Sequence, residues 1–181
     1  MIDLLSFTIK DRPVQRLGTE DAPAVQDLLE RCQDFNRMVS GEDTGPSDGL
    51  ALLEDCPPQT DPADKFVFGL EGEDGRLLGL VDLIFDYPKP GICWIGLQLL
   101  DPAVRGQGIG RAFYTAVEGW AARRGAQHVR LGVVEQNRAG YGFWQALGFA
   151  EVERRLPVRF GMLDCVVIVM EKIIQKDRRE P

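Results

Sequence analysis

The sequence predicts an α/β fold, a mixed sheet of about seven strands with helices on both faces. Three observations predict it. Apolar runs of strand length recur at residues 65–70, 76–85, 92–100, 127–134, 149–154 and 164–172. Between them lie segments whose apolar residues repeat every three or four positions, the spacing of a helix with one buried face. The chain has 181 residues, 44% of them hydrophobic, which suffices for one domain with its own core spanning 1–181.

Each element has a local cause. Residues 14–17 form a first strand. Thr19 can cap a helix whose first turn carries Glu20 and Asp21, where negative charge meets the positive end of the helix dipole. Val25, Leu28, Leu29 and Cys32 give that helix one apolar face, and Phe35 and Met38 extend it to a break at Ser40-Gly41. Residues 41–64 are rich in Gly, Pro, Asp and Ser, with one short helical candidate at 47–54. A loop this long inside a compact domain is either functional or a floppy excursion. Strands 65–70 and 76–85 are joined through Glu73-Asp74-Gly75, a hairpin signal. Residues 87–91 turn the chain into strand 92–100. A helix follows over 107–124, stopped by Gly125. Then come strand 127–134, helix 138–147, and strands 149–154 and 164–172. The charged end, 175–181, reads as a frayed tail.

Composition narrows the function. A formal net charge of −7 argues against a nucleic-acid binder, which carries a basic face, and suits a cationic or neutral partner. Cys32, Cys56, Cys93 and Cys165 are scattered without a C-x-x-C pair, so they read as reduced thiols of a cytoplasmic protein, with no metal site. No apolar run approaches membrane-spanning length, and no repeat is present. A homodimer is compatible with the sequence.

The densest chemical signal lies at residues 105–111, Arg-Gly-Gln-Gly-Ile-Gly-Arg, between an apolar strand and a helical stripe of Ile109, Ala112, Phe113, Ala116, Val117, Trp120 and Ala121. Glycines where a strand turns into a helix leave unpaired N–H groups open to a bulky anion, and the helix dipole favours negative charge there. Arg105 and Arg111 add cations. A P-loop would need Gly-Lys-Ser/Thr. A dinucleotide fingerprint would need G-x-G-x-x-G, whereas Gly106, Gly108 and Gly110 give G-x-G-x-G.

Arg-x-x-Gly-x-Gly, residues 105–110, instead resembles the acyl-CoA pyrophosphate loop of the GNAT superfamily of N-acetyltransferases. A second segment resembles the family at the right distance: a strand, Asn137, then a helix reaching Trp144, three residues, and Gly148-Phe149. The resemblance covers residues 92–153, and the N-terminal third only in outline. It implies a mostly antiparallel sheet with a splayed central strand pair. It implies acetyl-CoA as co-substrate, its pyrophosphate on Arg105, Gly106, Gln107, Gly108, Ile109, Gly110 and Arg111. It also places the pantetheine arm on the backbone of Leu99 and Leu100, and further cofactor contacts at Asn137 and Trp144. Asn137 reads equally as a helix N-cap.

The proton-transfer groups depart from the family pattern. Many members carry Tyr seven residues after the Asn, where this chain has Trp144, whose indole is no usable acid. Others carry Glu early on the strand before the loop, where this chain has Trp94. The remaining catalytic candidates are Gln98, which can position a water, Tyr141, one turn before Trp144 and read first as a packing residue, and Asp82. Asp82 and Asp86 border the acceptor side and read first as solvent-facing carboxylates. The implied function is transfer of an acetyl group from acetyl-CoA to a primary amine of a small molecule or peptide by direct attack. The alternative is a non-catalytic CoA-sensing or protein-interaction module. Glu42, Asp43, Asp48, Glu54, Asp55, Asp61 and Asp64 crowd the long loop that walls the acceptor pocket in the family, which favours a cationic acceptor.

Overall fold

The computed structural model describes residues 6–174. The expected frayed tail, 175–181, lies outside them. The first two strands, β1 (Ser6–Ile9) and β2 (Arg12–Arg16), form a hairpin that closes through Lys10 and Asp11, both left-handed with φ of 50° and 64°. Two left-handed residues are what a tight two-residue hairpin demands, here without the usual glycine. Two helices follow, α1 (Ala22–Arg31) and α2 (Gln33–Ser40), separated at Cys32, then α3 (Asp48–Glu54) within the long loop. Strands β3 (Lys65–Glu71), β4 (Leu77–Phe85) and β5 (Ile92–Leu100) lead to α4 (Ile109–Arg123). Strand β6 (His128–Val134), helix α5 (Arg138–Ala146), and strands β7 (Ala150–Phe160) and β8 (Leu163–Ile173) complete the chain.

The strands form one eight-stranded sheet in the order β1-β2-β3-β4-β5-β6-β8-β7. Every neighbouring pair is antiparallel except β5 and β6. The strand absent from the sequence reading is β1, too short to show alternation. Strand β7 runs to Phe160, well past the expected 154. Its residues are exposed almost throughout, so this edge strand has no apolar face for periodicity to reveal.

Helices cover both faces, as expected. The larger core cluster lies under α4 and α5 and includes Leu83, Ile95, Phe113, Tyr114, Val117 and Trp120. The smaller one lies under α1 and includes Val25, Leu28, Leu29, Leu80 and Leu99. No helix among the described residues is long and apolar enough to cross a membrane.

The central strand pair opens part-way. Strand β5 pairs with β6 only from Ile92 to Ile95, opposite His128 to Leu131. Toward β4, Ile95 faces Leu83 and Leu97 faces Asp82, so Gly96 is one extra residue in β5. The bulge and the end of the β5–β6 ladder coincide. From Gly96 to Leu100, β5 has β4 on one side and, among the described residues, no strand on the other.

Candidate functional site

The site is built from the open half of β5 and the turn that follows it. Gly106 and Gly108 take φ of 76° and 77°, which strains any side chain. A Cβ at Gly106 would meet nothing within 4 Å, and one at Gly108 only Lys10 Nζ at 3.7 Å. Both glycines therefore leave bare backbone facing open space. Gly108 is the N-cap of α4 and has no side-chain capping bond, so the first N–H groups of a fifteen-residue helix have no side-chain partner there. Gly110 serves packing instead: a Cβ on it would press within 3.3 Å of Leu100 and 3.4 Å of the Phe143 ring.

The two arginines differ. Arg111 donates through Nη2 to Ala146 O at 3.3 Å and has no ion-pair partner among the described residues. Arg105 is bound inward. Its Nε donates to Leu100 O at 2.9 Å, and its guanidinium makes a two-pronged ion pair with Asp34 of α2. This pairing holds the Asp34 carboxyl below the usual carboxylate range. Cys32 Sγ, whose thiol burial pushes up, also approaches Leu100 O, at 3.4 Å. The side chain of Arg105 thus ties the loop to α2, and what it offers an incoming anion is its backbone.

Leu99 is buried in the smaller cluster. Asn137 caps α5, its Oδ1 accepting from Gly140 N at 2.8 Å. Trp144 is 8% exposed among aromatic rings, with centroids 4.9 Å from Phe143, 5.5 Å from Tyr114 and 5.2 Å from Phe149.

The three catalytic candidates do not converge. Gln98 faces α4, its Nε2 donating to Gly110 O at 3.0 Å while its buried Oε1 has no partner among the described residues. Tyr141 packs on the larger cluster and its hydroxyl accepts from Gln145 Nε2 at 3.3 Å, the packing role expected of it. Asp82 lies on the opposite face of the sheet, and it is not the solvent-facing carboxylate the sequence suggests. Its side chain is 13% exposed and pairs with Lys65 Nζ at 2.8 Å, itself 6% exposed. Burial pushes the Asp82 carboxyl up, against the pull of Lys65. A Cβ at Gly96 would stand 2.7 Å from Asp82 Oδ2, so the glycine leaves the carboxylate room beside the opening.

Sequence reasoning missed the partners. Lys65, Asp34 and Lys10 carry no motif, and only strand register and helix docking bring them here. The acidic loop disperses. Asp43 pairs with Arg37, and Asp48 accepts from Gly45 N. Asp61 and Asp64 line a cavity of about 310 Å³ with Asp86 and Tyr87. Tyr87 meets Trp94 edge-on at 5.9 Å, and Arg155 lies over the same indole. Among the described residues no group of three or more His, Cys, Asp or Glu is gathered as a metal site would need.

A family model for the Acetyltransferase (GNAT) family matches residues 23–149, most of the chain. The chain belongs to the GNAT acetyltransferase family. GNAT acetyltransferases are acyl-CoA N-acyltransferases that use acetyl-CoA as co-substrate. Solved GNAT structures share the fold at low identity. The ribosomal-protein-S5-alanine acetyltransferase from Vibrio fischeri superposes with a TM-score of 0.71 at 18% identity, over 97% of this chain and 99% of that one. An acetyltransferase from Thermus thermophilus gives 0.71 at 21% identity, over 88% and 96%. The ribosomal-protein-S18-alanine N-acetyltransferase from Escherichia coli gives 0.68 at 18% identity, over 94% and 98%. Among curated proteins, none is significantly similar in sequence.

Proposed function

We propose that this GNAT acetyltransferase moves an acetyl group from acetyl-CoA to a primary amine by direct attack, with Asp82 as the proton acceptor. One observation carries the reading. The stretch of β5 left without a strand partner runs straight into the bare backbone of the glycine turn, with Asp82 beside its first residue. Amides of Gly96 to Leu100 that point away from β4 can orient an extended arm and polarise a thioester carbonyl. The N–H groups at the start of α4 suit the pyrophosphate.

The chemistry balances without a metal. An ammonium gives its proton to the Asp82 carboxylate, and the freed nitrogen attacks the carbonyl carbon. The C–S bond then breaks, and the second proton, which the nitrogen sheds as it becomes an amide, passes through water to the thiolate. A carboxyl raised by burial is a better proton acceptor than an ordinary one, and holding both reactants in one slot supplies much of the rate. The Asp82–Lys65 pair also fits a second reading, a domain that binds CoA without turnover, because a paired carboxylate is a weaker base.

Acetyl-CoA at a hundredfold excess over its Kd is expected to add about 2.7 kcal/mol of stability, visible as a rise of several degrees in Tm. Release of free thiol with one member of an amine panel is expected as well. A Tm rise without thiol release supports the binding module. No rise at millimolar acetyl-CoA rejects both readings.

The acceptor side favours a cation. Asp61, Asp64 and Asp86 line one cavity together with Tyr87, whose ring meets Trp94, two residues before Gly96 on β5. For a cationic amine, kcat/KM is expected to fall several-fold between about 20 and about 150 mM salt, because exposed charges are screened over roughly 8–10 Å. A matched neutral amine should show no such fall. Equal salt dependence for both would remove the charge argument.

A further inference from the structure

Many cations of this acidic chain are ion-paired, and one groove gathers two that, among the described residues, are not. Arg31, Arg37, Lys65, Arg76, Arg105 and Arg130 each meet a carboxylate. Between the β1–β2 hairpin and the flank of α4 lies a groove of about 510 Å³. Ile9, Ala112 and Ala116 give it an apolar floor, Thr8 and Thr115 add hydroxyls, and among the described residues no carboxylate lines it. Its two cations, Lys10 and Arg111, have no ion-pair partner among the described residues. In a chain of net charge −7, a groove with two uncompensated cations is set up for an anion.

The position of Lys10 says which anion. Its Nζ donates to Gln107 O at 2.7 Å and lies 3.7 Å from where a Gly108 Cβ would be. In a trans peptide the carbonyl of Gln107 and the N–H of Gly108 point in opposite directions. Lys10 therefore stands on the flank of the turn, away from the N–H that would face a pyrophosphate. The residue is held there at φ of 50°, a conformation that costs a non-glycine residue energy and that the hairpin maintains. Acetyl-CoA carries a phosphate suited to such a flank, on the 3′ carbon of the ribose and one sugar away from the pyrophosphate.

We propose that this groove takes the 3′-phosphorylated ribose of CoA, with Lys10 and Arg111 as its cationic pair. The proposal rests on the reading of the glycine turn as the pyrophosphate site. It assigns the N-terminal hairpin to cofactor selection, setting CoA apart from nucleotides that lack the 3′-phosphate.

The test is calorimetric titration of CoA and of dephospho-CoA, which differ only in that phosphate, into the wild type, Lys10→Gln and Arg111→Gln at one salt concentration. Hydrogen bonds to charged groups set the scale. The wild type is expected to prefer CoA by about tenfold or more, and each variant to lose most of that preference by weakening CoA alone. Equal weakening of both ligands would hand the cations to the pyrophosphate and overturn the groove assignment. So would unchanged affinity for both. A wild type that binds neither ligand overturns the reading of the turn itself, and the groove falls with it. Both side chains are exposed, so unchanged Tm of the unliganded variants is expected and checks that folding is not what is being read.

Discussion

Gly108→Val is expected to abolish measurable CoA binding, a loss of a hundredfold or more by titration, while the protein stays folded. Two effects coincide. The backbone at φ of 77° is hard for a branched residue, and the side chain would fill the space beside Lys10 Nζ on the flank of the turn, crowding both phosphate positions of CoA at once. The strain can be measured separately. Gly125, beyond the other end of α4, has φ of 104°, and a Cβ there would also meet nothing within 4 Å, so Gly125→Val carries comparable strain far from the turn. That variant should lose stability and keep its affinity for CoA. Equal affinity losses in the two valine variants would mean that strain alone accounts for the effect, and the anion would have to be placed elsewhere.

The second large effect is at Asp82. Asp82→Asn is expected to lower kcat by about 10²- to 10⁴-fold, the range for a lost general base, with KM for acetyl-CoA little changed. The substitution leaves Lys65 buried without its partner, which itself costs stability. Lys65→Met supplies the independent reading. A base must be deprotonated to act, so activity rises with pH through its pKa. Lys65 pulls the Asp82 pKa down against burial, so its removal should move that rise to higher pH while activity at alkaline pH survives. A kcat in Asp82→Asn within threefold of wild type places the proton acceptor elsewhere, and a rise moved to lower pH in Lys65→Met rejects the electrostatic account.

Much of the fold was legible because its signals are local. The hairpin turn at residues 73–75, the stripe on α4 and the Asn137 cap each act within a few residues, and each is found where expected. The exposure of Asp82 was not legible, and strand register explains why. Counting back from the hairpin without interruption would set Asp82 opposite Phe66, on the face under α4. A shift between Leu70 and Glu71 moves the register by one, so that Asp82 meets Val67 and shares a face with Lys65. Arg105 is a similar case. Its motif position reads as a phosphate ligand, but the docking of α2, seventy-one residues earlier in sequence, gives its side chain to Asp34. The glycines of the turn were legible because positive φ and open approach are demands a sequence can state, whereas Lys10 arrives through a hairpin with no glycine to mark it.

The extra residue at Gly96 makes β5 a strand of two phases. Upstream of it Cys93 and Ile95 belong with the α4 core, and downstream Leu97 and Leu99 belong with the α1 core. Odd-numbered positions therefore change sides midway, and one strand seals two interiors that its neighbours keep apart. Deleting Gly96 would set Leu97 directly after Ile95, so Leu97 and Leu99 would stay toward α1 and Gln98 and Leu100 toward α4, and only the irregularity in the ladder to β4 would go. The two interiors thus fix which way every other residue of this strand points, and Gly96 is the one position that neither interior needs, which leaves it to shape the opening beside Asp82.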